Sequence, residues 1–300
     1  MKQANHFKLS VTVCIPTYYG GPALVRAVES IRSSRAAGDF RLLVNVDGNP
    51  LASDIEQRLK DLDAEVVFSA ERGGQVARIN QMVGMLGTDL AVLTQDDVVF
   101  EPGALAVIRQ AFEADPSLTL AGAWIKPLPA RGFFEKILEI GTRISHKTGL
   151  LWRGGDNYLL ASGRCLALRA DMAKKLEAPE KIMNSDAYIY FKNKKLGGKF
   201  RYLESAVVYN RSPEFLREHL KQAKKFQLSQ REISRVLGFD ASREYSLPAS
   251  FVLKNFLREF FGHPLLTLLY AGVHFYTLFA GGQLYQRAQG FWETDLSTKK

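Results

Sequence analysis

Cysteine is scarce in this chain: Cys14 and Cys165 are the only two in 300 residues, and each sits inside an apolar run. That excludes a disulfide framework and predicts two buried thiols in a reducing compartment. No apolar stretch precedes Val11, so the start does not read as a secretory leader and the expected location is cytoplasmic. Neither a Cys/His zinc framework nor an aromatic RNA-binding signature is found. The net charge of +9 and pI near 9.4 are therefore assigned to phosphates or anionic headgroups rather than to nucleic acid. Internal repeats and low-complexity tracts are also missing. From Phe260 to Gln286 there is no Asp, Glu, Lys or Arg, nearly the length of a bilayer span. Gly262, Pro264, Gly272 and Gly281-Gly282 interrupt that stretch.

What is present is an alternation of buried strands and amphipathic helices. Val11–Ile15, Leu42–Val46, Glu65–Ser69 and Leu90–Thr94 read as strands. Helical patterns follow at Leu24–Ile31, Ile55–Leu62 and Val76–Met85, with Gly, Pro and Asp at the joints. This order predicts an α/β fold with a mostly parallel central sheet and helices on both faces. Beyond it, Leu120–Ile125, Tyr158–Leu168 and Ala206–Tyr209 read as strands. A segment rich in Gly, Arg and aromatics, Gly132 to Asn157, separates the first two of these. Helices are expected near Asp171–Leu176, at Asp186–Lys195 and, long and basic, from Glu214 to about Val236. The chain divides into a first part (1–115), a second (116–213) and a basic, then apolar, helical C-terminal region (214–300).

In such sheets ligands sit beyond the carboxyl ends of the strands. Three strand ends carry polar or acidic residues suited to one crevice: Pro16-Thr17-Tyr18, Asp47-Gly48 and Gln95-Asp96-Asp97. Adjacent carboxylates at a strand end are ordinarily solvated turn residues. They also repel each other unless a cation screens them, and hard oxygen ligands suit Mg²⁺ or Mn²⁺. Asp47 is either a turn former or an acceptor for a base or ribose. Gly73-Gly74 could bring backbone amides to a phosphate, and Arg78 and Asn80 fit the solvated face of the helix that follows. Asp186, in Asn184-Ser185-Asp186, is either a helix N-cap or a base.

Together these segments resemble family 2 inverting glycosyltransferases, which have a GT-A fold. Val11-Thr-Val-Cys-Ile-Pro-Thr-Tyr-Tyr19 is similar to their opening strand, and Asp47-Gly48 to their nucleoside-binding acidic turn. Arg72-Gly-Gly-Gln-Val-Ala-Arg-Ile-Asn80 is similar to their glycine-rich helix start, and Thr94-Gln-Asp-Asp-Val98 to their metal-binding Asp-x-Asp segment. Ala161-Ser162-Gly163 with Leu166–Ala170 resembles the acceptor-side strand, and Asp186 falls at the family's catalytic base. The resemblance implies that 1–115 is a donor-binding part and 116–213 an acceptor-side part, with a UDP-sugar or similar donor held by Pro16, Thr17, Tyr18, Asp47, Gly74, Arg78 and Asp96. It implies Mn²⁺ or Mg²⁺ on Asp96 and Asp97, Asp186 as base, and a glycan or lipid-linked acceptor. The departures are Thr94 for the first Asp of the motif, Ser185 for the Glu before the base, and Asn210 for a frequent His. Gln222-Ala-Lys-Lys-Phe226 is a loose echo of the Gln-x-x-Arg-Trp motif of processive members, with a Lys that lacks the bidentate fork of Arg.

Lys254 and Arg258 among Phe251, Leu253, Phe256, Leu257 and Phe260 read as an interfacial membrane helix, here on the cytoplasmic membrane face. Packing on the catalytic domain or in a dimer, and a full span, are the alternatives. Two competing functions stand beside the transferase: a degenerate relative that only binds nucleotide or scaffolds, and a sugar nucleotidyltransferase. The second lacks the Arg and Lys it would need between Pro16 and Pro22.

Overall fold

The computed structural model describes residues 8–34, 38–180, 182–280 and 296–299, without the side chains of 224–228, 242–243 and 280. Its frame is one eight-stranded sheet in the order β3-β2-β1-β4-β7-β6-β8-β5. The strands are β1 (Val11–Thr17), β2 (Arg41–Asp47), β3 (Glu65–Ser69), β4 (Leu90–Thr94), β5 (Val98–Phe100), β6 (Leu118–Pro127), β7 (Cys165–Arg169) and β8 (Lys199–Asn210). The first four are parallel, as are β6 and β8, while β7 and β5 run against their neighbours. The mostly parallel α/β sheet expected from the sequence is therefore found. One core lies against α1 (Pro22–Arg32), α2 (Ser53–Asp61) and α4 (Ala104–Ala114). The other lies against α3 (Gly74–Gly84), α6 (Ala170–Lys175) and α7 (Ser185–Lys195). Cys14 and Cys165 are free and buried, and burial pushes both thiols up to about 12, which makes them inert.

The segment from Gly132 to Asn157, for which the sequence offered a composition and no element, holds α5, a 19-residue helix over Phe133–Leu151. Glu135 opens it, taking the amides of Arg131 and Gly132 (2.5 and 3.0 Å) and an ion pair from Arg211 at the end of β8. One sequence expectation needs correction: no strand runs from Tyr158 to Leu168. Buried Asn157 bonds the carbonyls of Gly149 and Trp152 (both 2.7 Å), which folds Tyr158–Leu160 into a 3₁₀ turn and leaves Cys165–Arg169 for β7.

The chain continues as α8 (Leu216–Leu237), α9 (Ser242–Tyr245), α10 (Ala249–Gly262) and α11 (Pro264–Ala280). The Gln222–Phe226 echo lies on α8, and its Lys224, Lys225 and Phe226 side chains are outside the described set, as are residues 281–286 of the apolar stretch. No helix among the described residues is long and apolar enough to cross a membrane. The last two helices pack on α5 through polar groups. Glu259, 5% exposed, pairs with Arg143 (2.7 Å) and Lys147 (2.5 Å), and Asn255 donates to Thr148 (3.1 Å). Tyr270 fills the space beside Gly141, where any Cβ would collide with its ring. Burial alone would raise the Glu259 pKa, yet hydrogen bonds from Lys147 and Arg143 hold it below the ordinary value near 4.5. A lowered folded value means that this stabilisation is complete above the unfolded pKa and is lost as pH falls through the folded one. Glu259→Gln should cost about 1–3 kcal/mol at neutral pH and lose less stability than wild type below pH 4.5. Calorimetric melting across pH checks both.

Candidate active site

The crevice opens at the carboxyl ends of β1, β2 and β4. β1 ends on Thr17, which is buried; its hydroxyl donates to Asp96 Oδ2 (2.7 Å) and accepts the amide of Gly20 (3.1 Å). Pro16 and Thr17 pair in register with Asn45 and Val46 of β2, so they adjoin Asp47. Tyr18 follows; the guanidinium of Arg72 lies 4.1 Å over its ring, and its carbonyl accepts from Asn49 (3.4 Å). Gly48 has φ of +73°, and a Cβ there would meet Arg72 Cβ at 3.0 Å and the Arg72 backbone at 3.1 Å, so the turn after Asp47 requires glycine.

Asp47 is buried and fully engaged. Its two oxygens accept the amides of Gly73 (2.7 Å) and Gly74 (2.9 Å), and Arg78 pairs with Oδ1 at 2.9 Å. This changes three expectations. The Gly73-Gly74 amides point to a carboxylate of the chain rather than standing open to a phosphate. Arg78 is no solvated face, since it bridges Asp47, Gln81 (2.7 Å) and the carbonyl of Glu71 (3.1 Å). Asn80 is likewise tied, by two bonds to the backbone of Ala178. Asp47 is thus the clamp that fixes the start of α3 against the end of β2.

β4 leads into Asp96 and Asp97. Thr94, where the family motif would carry an Asp, is buried, and its hydroxyl bonds the carbonyl of Arg164 (2.7 Å) just before β7. Asp96 is buried and half-buried Asp97 follows. Burial pushes the Asp97 carboxyl above its ordinary value; the Lys299 ammonium pulls the other way, and Asp96 adds to the rise. Asn210 pairs in the ladder with Val98, the residue after Asp97. Among the described residues no cluster of three or more His, Cys, Asp or Glu could hold a metal by itself. Two carboxylates and a hydroxyl still fit Mg²⁺ or Mn²⁺, which take one or two carboxylates and complete their shell with phosphate oxygens and water. A cation already stands there: the ammonium of Lys299 pairs with Asp96 Oδ1.

Asp186 is not the N-cap. That role falls to Asn184, whose side chain accepts the amide of Ala187 (3.3 Å). Asp186 lies in the first turn of α7, and its Oδ2 accepts the amide of Gly163 (2.9 Å). Among the described residues Oδ1 makes no hydrogen bond. Gly163 adjoins Arg164, whose carbonyl holds Thr94, so the loop before β7 ties Asp186 to the strand end that carries Asp96. Sequence reasoning missed Gly163 and Arg164 as connectors, and missed Thr298 and Lys299 entirely.

The sheet brings Asp47 at the end of β2 and Asp96 and Asp97 after β4 to one crevice, and Asp186 of α7 is bonded to the loop before β7. The profile described as glycosyltransferase like family 2 matches residues 9–227; the chain belongs to that family and is a glycosyltransferase. No curated protein matches it in sequence. The fold is similar to the mannosyltransferase PcManGT of Pyrobaculum calidifontis in complex with GDP-Man and Mn²⁺ (TM-score 0.59, 14% identity, 91% of this chain and 76% of that one). It is also similar to residues 1–349 of S. aureus TarS (0.54, 15%, 85% and 72%). A third similar structure is the glucosyl-3-phosphoglycerate synthase of Mycobacterium tuberculosis with Mn²⁺, UDP-glucose and phosphoglyceric acid (0.53, 14%, 77% and 81%). The family match sets the nucleotidyltransferase alternative aside.

Proposed function

We propose that this protein transfers a sugar from a nucleoside diphosphate donor, a UDP-sugar first among them, to a hydroxyl of a glycan or lipid-linked acceptor, with inversion. The observation that carries the reading is the hydrogen bond from Gly163 to Asp186. It holds a carboxylate from the acceptor-side part beside the strand end bearing Asp96 and Asp97, with one oxygen anchored and the other open. Pro16, Thr17, Tyr18 and the Asp47–Gly74–Arg78 clamp shape the nucleoside side. Asp96 and Asp97 would hold Mn²⁺ or Mg²⁺, which when bound supplies charge against the departing diphosphate. Asp186 Oδ1 takes the acceptor hydroxyl proton as its oxygen attacks the anomeric carbon, on the face opposite the leaving group. Thermal shift with a panel of nucleotide sugars and Mn²⁺ tests the donor side: at least one sugar nucleotide should raise the melting temperature only with metal, and a flat panel would contradict the reading.

The same proposal places the enzyme on a membrane. α10 and α11 are turned inside out relative to a soluble helix pair: Glu259, Asn255, Thr267 and Thr277 are buried, while Leu253, Leu257, Phe261, Leu265, Leu268, Phe275 and Phe279 are exposed. Phe261 and Phe279 are 82% and 83% exposed, beside exposed Lys254 and Arg258. Large apolar groups outward with flanking cations fit the interface of an anionic bilayer, where each cation adds about 1 kcal/mol. Flotation with vesicles containing phosphatidylglycerol should carry the wild type. The double variant Phe261→Ser, Leu265→Ser should stay in solution while keeping its melting temperature. Equal flotation of both proteins would move the contact elsewhere.

A further inference from the structure

Leu296–Lys299 forms one 3₁₀ turn laid across the crevice, far in sequence from everything it touches. Ser297 is buried; its hydroxyl donates to Glu218 of α8 and accepts the amide of Glu214 (3.3 Å). The Thr298 hydroxyl donates to Asp97 Oδ2 (3.0 Å), and Lys299 Nζ pairs with Asp96 Oδ1. Arg26 of α1 holds the carbonyl of Lys299 (3.3 Å). The Lys299 and Asp96 side chains are only 14% and 9% exposed, so this ion pair is largely shielded from water, unlike the weak pairs of an open surface.

The segment therefore meets both carboxylates assigned to the cation, one with an ammonium and the other with a hydroxyl. The ammonium offsets part of the mutual repulsion of the two adjacent carboxylates. An inner-sphere divalent ion sits about 2.1 Å from its oxygen ligands. Asp96 Oδ1 cannot hold such an ion and the Lys299 ammonium in the same place. The diphosphate that completes the ion's shell would enter the space over Asp97 that Thr298 fills.

We infer that residues 296–299 are an intramolecular occupant of the cation and diphosphate position, a strap that metal and donor must displace before the site can form; the inference rests on the reading of Asp96 and Asp97 as the cation site. While the strap is seated, the competent fraction is small and the apparent affinity for metal falls by that fraction. Removing the ammonium, or the strap, raises the affinity without adding any contact to the ion.

Titration calorimetry of the nucleotide-free full-length protein with MnCl₂ tests this. The variants are Lys299→Ala, deletion of residues 296–300, and Asp96→Asn as control, with melting temperatures taken for each. Lys299→Ala keeps the Ser297 and Arg26 anchors and decides the matter if the deletion fails to fold. The expected result is Mn²⁺ binding about 10-fold tighter or more in Lys299→Ala and in the deletion, and lost in Asp96→Asn. Equal affinity in wild type and Lys299→Ala overturns the strap and leaves the cation site standing. Weaker binding in Lys299→Ala overturns it by making the lysine part of the site, and no binding by any of these proteins overturns strap and cation site together.

Discussion

Replacing Asp186 by Asn should cut turnover by about 10²- to 10⁴-fold and leave donor affinity close to wild type. That range is what positioned general bases contribute, and the acceptor hydroxyl cannot attack as an alcohol without losing its proton. The geometry makes the substitution clean. Asn184 caps α7, so helix stability does not rest on residue 186, and an amide oxygen can still accept the Gly163 N–H that now bonds Oδ2. What disappears is basicity at the second oxygen. The donor contacts proposed at the β1, β2 and β4 ends are untouched. Asn184→Ala is the matching control: losing the cap should cost about 0.5–2 kcal/mol of stability with little change in turnover per folded molecule. A stably folded Asp186→Asn enzyme with near-normal turnover would mean that the base lies elsewhere.

Asp96→Ala should abolish metal-assisted donor binding and reduce turnover by about 10³-fold or more, equivalent to about 4 kcal/mol of lost transition-state stabilisation. Asp96 is the carboxylate on which Thr17 and the Lys299 cation converge, so removing it takes away the ligand and the anchor for the β1 end together. Asp97→Ala leaves Asp96 and Thr17 in place and should do equal or lesser damage. Chelation supplies the independent arm: wild type stripped of divalent ions should fall to the level of Asp96→Ala, and the variant should not respond to added Mn²⁺. Activity of Asp96→Ala that matches wild type, in chelator or out of it, would remove the cation from the account.

β1, β2 and β4 were legible because they are buried on both faces, and such strands appear as near-continuous apolar runs. β3 and β4 fall on the residues expected from the sequence, and β1 and β2 gain only their polar ends. α5 was not legible, because part of its packed face is glycine. Gly141 and Gly149 carry no apolar signal of their own, yet they receive Tyr270 and Leu160. The pattern of α10 and α11 is inverted, and an apolar stretch does not by itself say which side faces outward. At the site, residue types at strand ends were readable but their partners were not. Asp47 stands where a nucleoside ligand was expected, and its oxygens are taken by backbone amides 26 and 27 residues away. Lys299 reaches Asp96 across 203 residues, a contact that no local pattern encodes.

Incubation of the purified enzyme with a panel of nucleotide sugars, Mn²⁺ and membrane-extracted glycolipid acceptors, with release of nucleoside diphosphate followed by chromatography, tests the central claim most directly. One donor should yield nucleoside diphosphate in step with a glycosylated product of inverted anomeric configuration, and chelator should stop both. Transfer that continues undiminished in chelator, or that retains the donor's configuration, would contradict the account.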